Sequence, residues 1–324
     1  MLHKAGYHRT QHGNGGMCAG CGPLLRRCVS LSVEFVLALL VVYTLIFLVF
    51  AVLPVDPARA LLGPLASSAA VSALRAQMGL DEPLLIRYFT VLGRVIHGDF
   101  GSSFYFGQPA LDVVLALAPI TLLRSALGLL LGFFAGLSIA RLARQLQSRI
   151  VPSIFLLIQT IPSFCLVVVL MWISAGVLGA TPLRALGLFE ALAVLTIAAY
   201  PAGAIGIYIY DRLDYREVRP RYVDFLLILH APAAGLVRLL WGESLAGAIA
   251  IAVNSVPVAL TATTFAEIIF GLRGFGAEFI HSCERGDLSI VTAGTMLLFA
   301  VMFIFQRVSD LALEHFDPRI ARDL

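Results

Sequence analysis

Few residues in this chain have side chains and spacings suited to chemistry. His3, His8, His12, Cys18 and Cys21 crowd the N-terminal stretch, and Cys18-Ala19-Gly20-Cys21 is a CxxC. Imidazole and thiolate are the usual ligands of zinc-like ions, so one reading is a metal-binding leader. The plainer reading is a disordered leader over residues 1–29, because a CxxC with no second pair at zinc-finger spacing is a weak signal. Arg124 is a cation inside a long apolar run. It either lines a solute path or snorkels its charge to the membrane surface, and snorkelling is the more ordinary outcome. Residues 211–243 carry Arg212, Arg216, Arg219, Arg221 and Arg238 between two apolar segments. A basic loop of that length is a place where another protein could push.

Lys4 is the single lysine. A phosphate-binding loop needs a Lys beside Ser or Thr to reach the β- and γ-phosphates, so ATP chemistry must belong to another chain. The sequence contains no H-E-x-x-H, no G-x-S-x-G and no paired carboxylates inside an apolar run. These absences argue against a membrane-embedded enzyme, and no cofactor is expected on this chain. A formal net charge of +3 is too small to suggest a nucleic-acid partner.

The elements that must position these residues are membrane spans. The chain is 59% hydrophobic and 13% charged, with mean hydropathy +0.91, whereas a soluble domain carries about 25% charged residues. A bilayer crossing needs about 20 apolar residues. Six such runs are expected, at 31–53, 118–140, 151–178, 189–210, 245–269 and 288–305, in an all-α polytopic membrane protein surrounded by lipid. Pro152 and Pro162 fall in the third run, Pro201 in the fourth and Pro257 in the fifth. Residues 54–117 form a long extramembrane segment with short helices, one of them aligning Leu84, Leu85, Tyr88, Leu92 and Ile96 on a face. Residues 270–287 read as an outer loop. With both termini cytoplasmic, 15 of the 23 Lys and Arg residues fall inside and seven outside, as the positive-inside rule asks. Glu34, Glu190 and Glu267 all lie near span ends, which weakens a proton- or sodium-coupled carrier.

Several stretches together carry a resemblance. They are Asp56-Pro57-Ala58-Arg59, Met78-Gly79-Leu80-Asp81-Glu82-Pro83 with Arg87-Tyr88, and Gly98-Asp99-Phe100-Gly101-Ser102-Ser103. Further on come Glu267-Ile268-Ile269-Phe270, Gly274-Phe275-Gly276, Arg285-Gly286-Asp287 and Asp317-Pro318-Arg319. In this order they resemble the permease subunit of binding-protein-dependent ABC importers of the dipeptide, oligopeptide and nickel group, from about residue 24 to the C-terminus. Asp99, Gly101, Glu267, Gly274 and Gly276 are the outer-face positions of those motifs.

The resemblance implies a type I importer permease, multi-pass in the bacterial inner membrane, with residues 30–324 as the permease domain. It implies a heterodimer with a second permease, two cytoplasmic ATPase subunits that use ATP and Mg, and an extracytoplasmic solute-binding protein. The solute would be a di- or oligopeptide or a nickel or other metal chelate. An ATP-independent carrier or channel is the rival reading. In such permeases the inner loop docks a short helix on the ATPase. Here Glu217-Val218 and Tyr222-Val223 match its start. Asp224 then opens an apolar run where small and basic residues are the pattern, and His230 stands where Gly is expected, followed by Ala231 and Pro232. Gly would allow a left-handed turn that His adopts uncommonly, while Pro232 would press Ala231 away from helical angles and so allow a turn by another route.

Overall fold

The computed structural model describes residues 21–52, 56–63, 65–148, 150–178, 187–212 and 233–316. These residues fold into helices: α1 (Cys21–Val52), α2 (Pro57–Leu62), α3 (Ser68–Gln77), α4 (Leu84–Ile96), α5 (Ala110–Gln145) and α6 (Ile150–Thr160). They continue as α7 (Ser163–Leu178), α8 (Leu188–Arg212), α9 (Ala233–Asn254), α10 (Val256–Phe270), α11 (Phe275–Arg285) and α12 (Leu288–Phe316). Four stretches are single apolar helices long enough to cross a bilayer: Val29–Val52, Ala110–Gln145, Leu188–Arg212 and Leu288–Arg307. Two bent pairs complete a set of up to six crossings.

Three boundaries differ from the sequence reading. The helix expected to start after a leader of residues 1–29 already begins at Cys21, with Pro23 in its first turn, where a missing N–H costs nothing. Helix α5 starts at Ala110, inside the segment expected as extramembrane over 54–117. At 36 residues α5 is about 54 Å long, longer than roughly 30 Å of hydrocarbon, so part of it projects beyond the acyl region. The expected span 151–178 is two helices, α6 and α7, bent by 100°. Pro162 causes the break: it lacks an N–H and forces Ile161 away from helical angles. The pair α9–α10 bends by only 46°, around Ser255, whose hydroxyl donates to Ile251 O at 2.7 Å.

The bundle is organised around α5 and α8. Gly128, Gly132 and Gly136 put a smooth stripe on α5, and α8 lies in it. A Cβ on Gly132 would stand 2.6 Å from Ala198 O, and one on Gly136 would stand 2.7 Å from Ala202 O. Small residues four apart allow this approach, and dispersion contacts hold the pair where lipid supplies no hydrophobic drive. Farther along, Phe155 of α6 packs into α8 with Ile205 and Ile209. The segment 56–109 marks one end of the bundle, termed the cap end. At the other end, the last turn of α8 ties down the α5–α6 link: the Tyr210 hydroxyl donates to Ser148 O at 2.7 Å, and Arg144 stacks on its ring at 4.5 Å.

Candidate functional site

Near the cap end, α5, α8, α10 and α11 converge on Arg124. Helical spacing puts Thr121 and Arg124 on one face of α5, and Arg124 is 5% exposed. Its Nη1 donates to Glu267 Oε1 of α10 at 2.5 Å, while Nε and Nη2 donate to the two Glu190 oxygens of α8 at 2.8 and 2.9 Å. The planar guanidinium suits this fork. Thr121 Oγ1 donates to Glu267 Oε1 at 2.7 Å and accepts the Phe275 N–H at 2.7 Å. The other Glu267 oxygen accepts the Ala277 N–H at 3.1 Å. One turn along, the Ser125 and Thr263 hydroxyls meet at 2.7 Å.

Glu267 is fully buried, and a buried carboxylate persists only when paired and hydrogen-bonded. Gly274 and Gly276 make room for it: a Cβ on Gly274 would overlap the carboxylate, and one on Gly276 would stand 2.8 Å from Oε2. Of the candidate residues, Arg124, Glu267, Gly274 and Gly276 are therefore brought together. Arg124 is buried rather than snorkelled to the surface as the commoner behaviour would have it: the buried Glu267 carboxylate holds one edge of the guanidinium, and the other edge reaches the half-exposed Glu190.

Asp99 and Gly101 belong to a second cluster at the same end. Asp99 Oδ1 accepts the Gly101 N–H at 2.9 Å and shapes the turn that leads into α5. Beyond the turn, Ser103 Oγ donates to Asp287 Oδ2 at 2.5 Å, and Arg285 lies 3.8 Å over the Tyr105 ring. Residues 270–287, expected as a loop, thus contain a helix fastened at both ends. The start of α11 is held by Thr121 and Glu267, and its end by Ser103 and Tyr105.

Two cavities open beside these elements. One of about 500 Å³ is lined at the cap end by Asp112, Glu267, Arg273, Glu278 and His281, among others. The other, about 290 Å³, lies at the α6–α7 break, where Gln159, Ser163, Thr196, Tyr200 and Thr261 add polar groups to an apolar wall. Arg124 is not among the lining residues of either cavity. Sequence reasoning missed Thr121 and the polar residues of the second cavity; the visible signal for the cavity was Ile161-Pro162-Ser163 inside an apolar run. The loop candidates Glu217, Tyr222, Val223, Asp224, His230, Ala231 and Pro232, and the leader's His3, His8, His12 and Cys18, lie outside the described residues.

The chain is similar over most of its length to several known permeases. It is 24% identical to the dipeptide transport system permease protein DppB of Lactococcus lactis subsp. cremoris, covering 88% of this chain and 96% of that protein. It is 24% identical to the glutathione transport system permease protein GsiC of Salmonella choleraesuis, covering 87% and 94%. It is 26% identical to a putative peptide transport system permease protein of Brucella abortus, covering 88% and 95%. Residues 23–123 match a family model described as "Binding-prot-dependent transport system membrane comp, N-term". Residues 128–322 match one described as "Binding-protein-dependent transport system inner membrane component". Since the second match alone spans more than half of the sequence, the chain belongs to the family of inner membrane components of binding-protein-dependent transport systems.

Proposed function

We propose that this permease carries di- or oligopeptides inward, as one half of a heterodimer with a second permease. Two ATPase subunits would sit on the cytoplasmic face, binding and hydrolysing MgATP, and a solute-binding protein would deliver the peptide at the cap end. The observation that carries the reading is near-full-length similarity to permeases named for dipeptide, glutathione and peptide transport. Those names favour a peptide over a metal chelate.

In this reading both termini and residues 211–243 are cytoplasmic, and the loop receives the ATPase through Tyr222, Val223 and the His230-Ala231-Pro232 stretch. ATP binding would draw the loops together and tilt the spans, and hydrolysis would reset them. Coupling requires contacts that differ between the two states. The α5–α8 pair, fastened by its glycine stripe and by Arg124–Glu190, is suited to move as one body. The cavity at the α6–α7 break is the best candidate for part of the path, since irregular backbone inside a membrane is tolerated where it lines a cavity.

The test is uptake of labelled di- and tripeptides, glutathione included, by proteoliposomes holding the chain with its co-purifying subunits. Uptake that needs both internal ATP and the binding protein is expected. Uptake by this chain without nucleotide would favour the ATP-independent carrier or channel.

A further inference from the structure

Helix α4 carries three distinct faces. Tyr88, Val91, Leu92 and Val95 pack toward Tyr43 and Phe47 of α1. The Tyr43 hydroxyl donates to Tyr88 O at 3.1 Å, Thr44 meets the Tyr88 hydroxyl at 2.8 Å, and Phe47 lies edge-on to the Tyr88 ring. These contacts fall within about one turn of α1, although α4 has 13 residues and is about 20 Å long. The two helices therefore cross rather than run side by side.

The other two faces are opposites. Leu85, Phe89 and Ile96 form one flank and are 73%, 64% and 72% exposed. Arg87 and Arg94 lie about 170° around the helix from that flank, at 100° per residue. The crossing point also sets a level. Tyr43 and Phe47 lie nine and five residues before the end of α1 at Val52, hence about 8–14 Å below that end. Met296, eight residues into α12, packs against the same cluster. At this level α1 itself exposes Leu45, Leu48 and Val49, which is the surface a membrane span shows to lipid.

We propose that α4 is an interfacial helix of the cap-side leaflet. Its Leu85–Phe89–Ile96 flank is sunk among acyl chains, and Arg87 and Arg94 meet the phosphates of the lipid headgroups. A helix with an apolar flank, a basic flank and a position at the headgroup–acyl boundary suits that setting. Part of the segment read as extramembrane is then a membrane anchor that braces α1 from the side. The inference rests on membrane embedding and not on the identity of the solute.

Single nitroxides test it in a cysteine-free chain assembled with its co-purifying subunits, in phosphatidylcholine–phosphatidylglycerol vesicles. For Leu85→Cys, Phe89→Cys and Ile96→Cys, the ratio of oxygen to nickel-chelate accessibility should be several-fold higher than for Arg87→Cys and Arg94→Cys. Leu45→Cys serves as the lipid standard and Ser72→Cys as the aqueous one, and together they report that the fold is intact. Chelate access at 85, 89 and 96 overturns the proposal. Low access to both reagents also overturns it and marks a protein-covered face, such as the second permease. If removing the cysteines disrupts the fold, benzoylphenylalanine at position 89 of the native-cysteine chain decides. A phospholipid adduct supports the proposal, and a protein adduct or no lipid adduct overturns it.

Discussion

Arg124 and Glu267 are 143 residues apart in sequence and 2.5 Å apart in space, joining α5 to α10 through a fully buried carboxylate. Glu267 also receives Thr121 and the backbone at the start of α11, so one side chain fixes three elements. The Glu190 arm of the same guanidinium is 53% exposed and shares its charge with solvent.

Removing the cation should cost more than removing the pair. Arg124→Met leaves a buried carboxylate without its counter-charge, and breaking such a pair costs about 3–5 kcal/mol. The expected outcome is a markedly lower Tm in detergent and lower accumulation in membranes. Arg124→Met combined with Glu267→Leu should recover much of the loss, because the uncompensated charge is gone. Glu190→Gln should cost less than about 1 kcal/mol, as for an exposed pair.

The glycine stripe predicts a contrast between two glycines. Gly132→Val drives side-chain atoms into the Ala198 carbonyl and Pro201, and overpacking of this kind costs about 1–3 kcal/mol or more. Gly93→Ala on α4 has open space around the new methyl and should be neutral or stabilising by up to about 1 kcal/mol, from helix propensity. Thermal unfolding of the two variants in the same detergent reads the difference directly.

Much of the architecture was legible in the sequence, for local reasons. The uninterrupted crossings announce themselves by apolar length, and the α12 start falls next to Asp287, whereas Pro257 was visible in the fifth run but the break at Ser255 was not. What stayed hidden is tertiary. Pro162 was visible within a run, but a 100° break depends on whether neighbours accept the released backbone groups. Arg124, Glu267, Gly274 and Gly276 were each singled out, yet nothing local ties them together. The reason for the two glycines, clearance for the Glu267 carboxylate, exists only once α11 has folded over α10. The α11 helix itself had a readable end in Arg285-Gly286, since a basic last turn followed by Gly is a common helix stop.

Acid should loosen the α2–α3 corner selectively. Arg75 Nη1 pairs with Asp56 at 2.8 Å and its Nε with Asp81 at 3.2 Å, linking two of the family motifs. Burial pushes the Asp56 carboxyl up, but the Arg75 guanidinium and the Ala58 N–H outweigh it, so it titrates below its ordinary value of 3.8. A lowered carboxyl contributes stability that is complete above the ordinary value and is lost as pH falls through the folded one. The Tm gap between the parent and Asp56→Asn should therefore stay constant from neutral pH to about pH 5 and close only in strong acid. A gap that closed near neutrality would point to a different group.

Straightening the broken span should separate assembly from transport. Ile161 N–H still reaches Leu157 O at 3.2 Å, and Cys165 N–H reaches Pro162 O at 3.0 Å, so each half-helix is intact up to the break. Pro162→Ala restores the missing N–H and removes the ring clash, favouring a continuous helix by about 3 kcal/mol, or roughly two powers of ten in population. Ile161, Pro162 and Ser163 line the 290 Å³ cavity, which the straight form would reshape. The variant should accumulate in the membrane with an unchanged or higher Tm while its peptide uptake falls at least about tenfold, equivalent to about 1.4 kcal/mol in barrier. Unchanged uptake by a variant shown to be straight, for instance by a changed distance between labels at Ser153 and Trp172, would remove the break from the path.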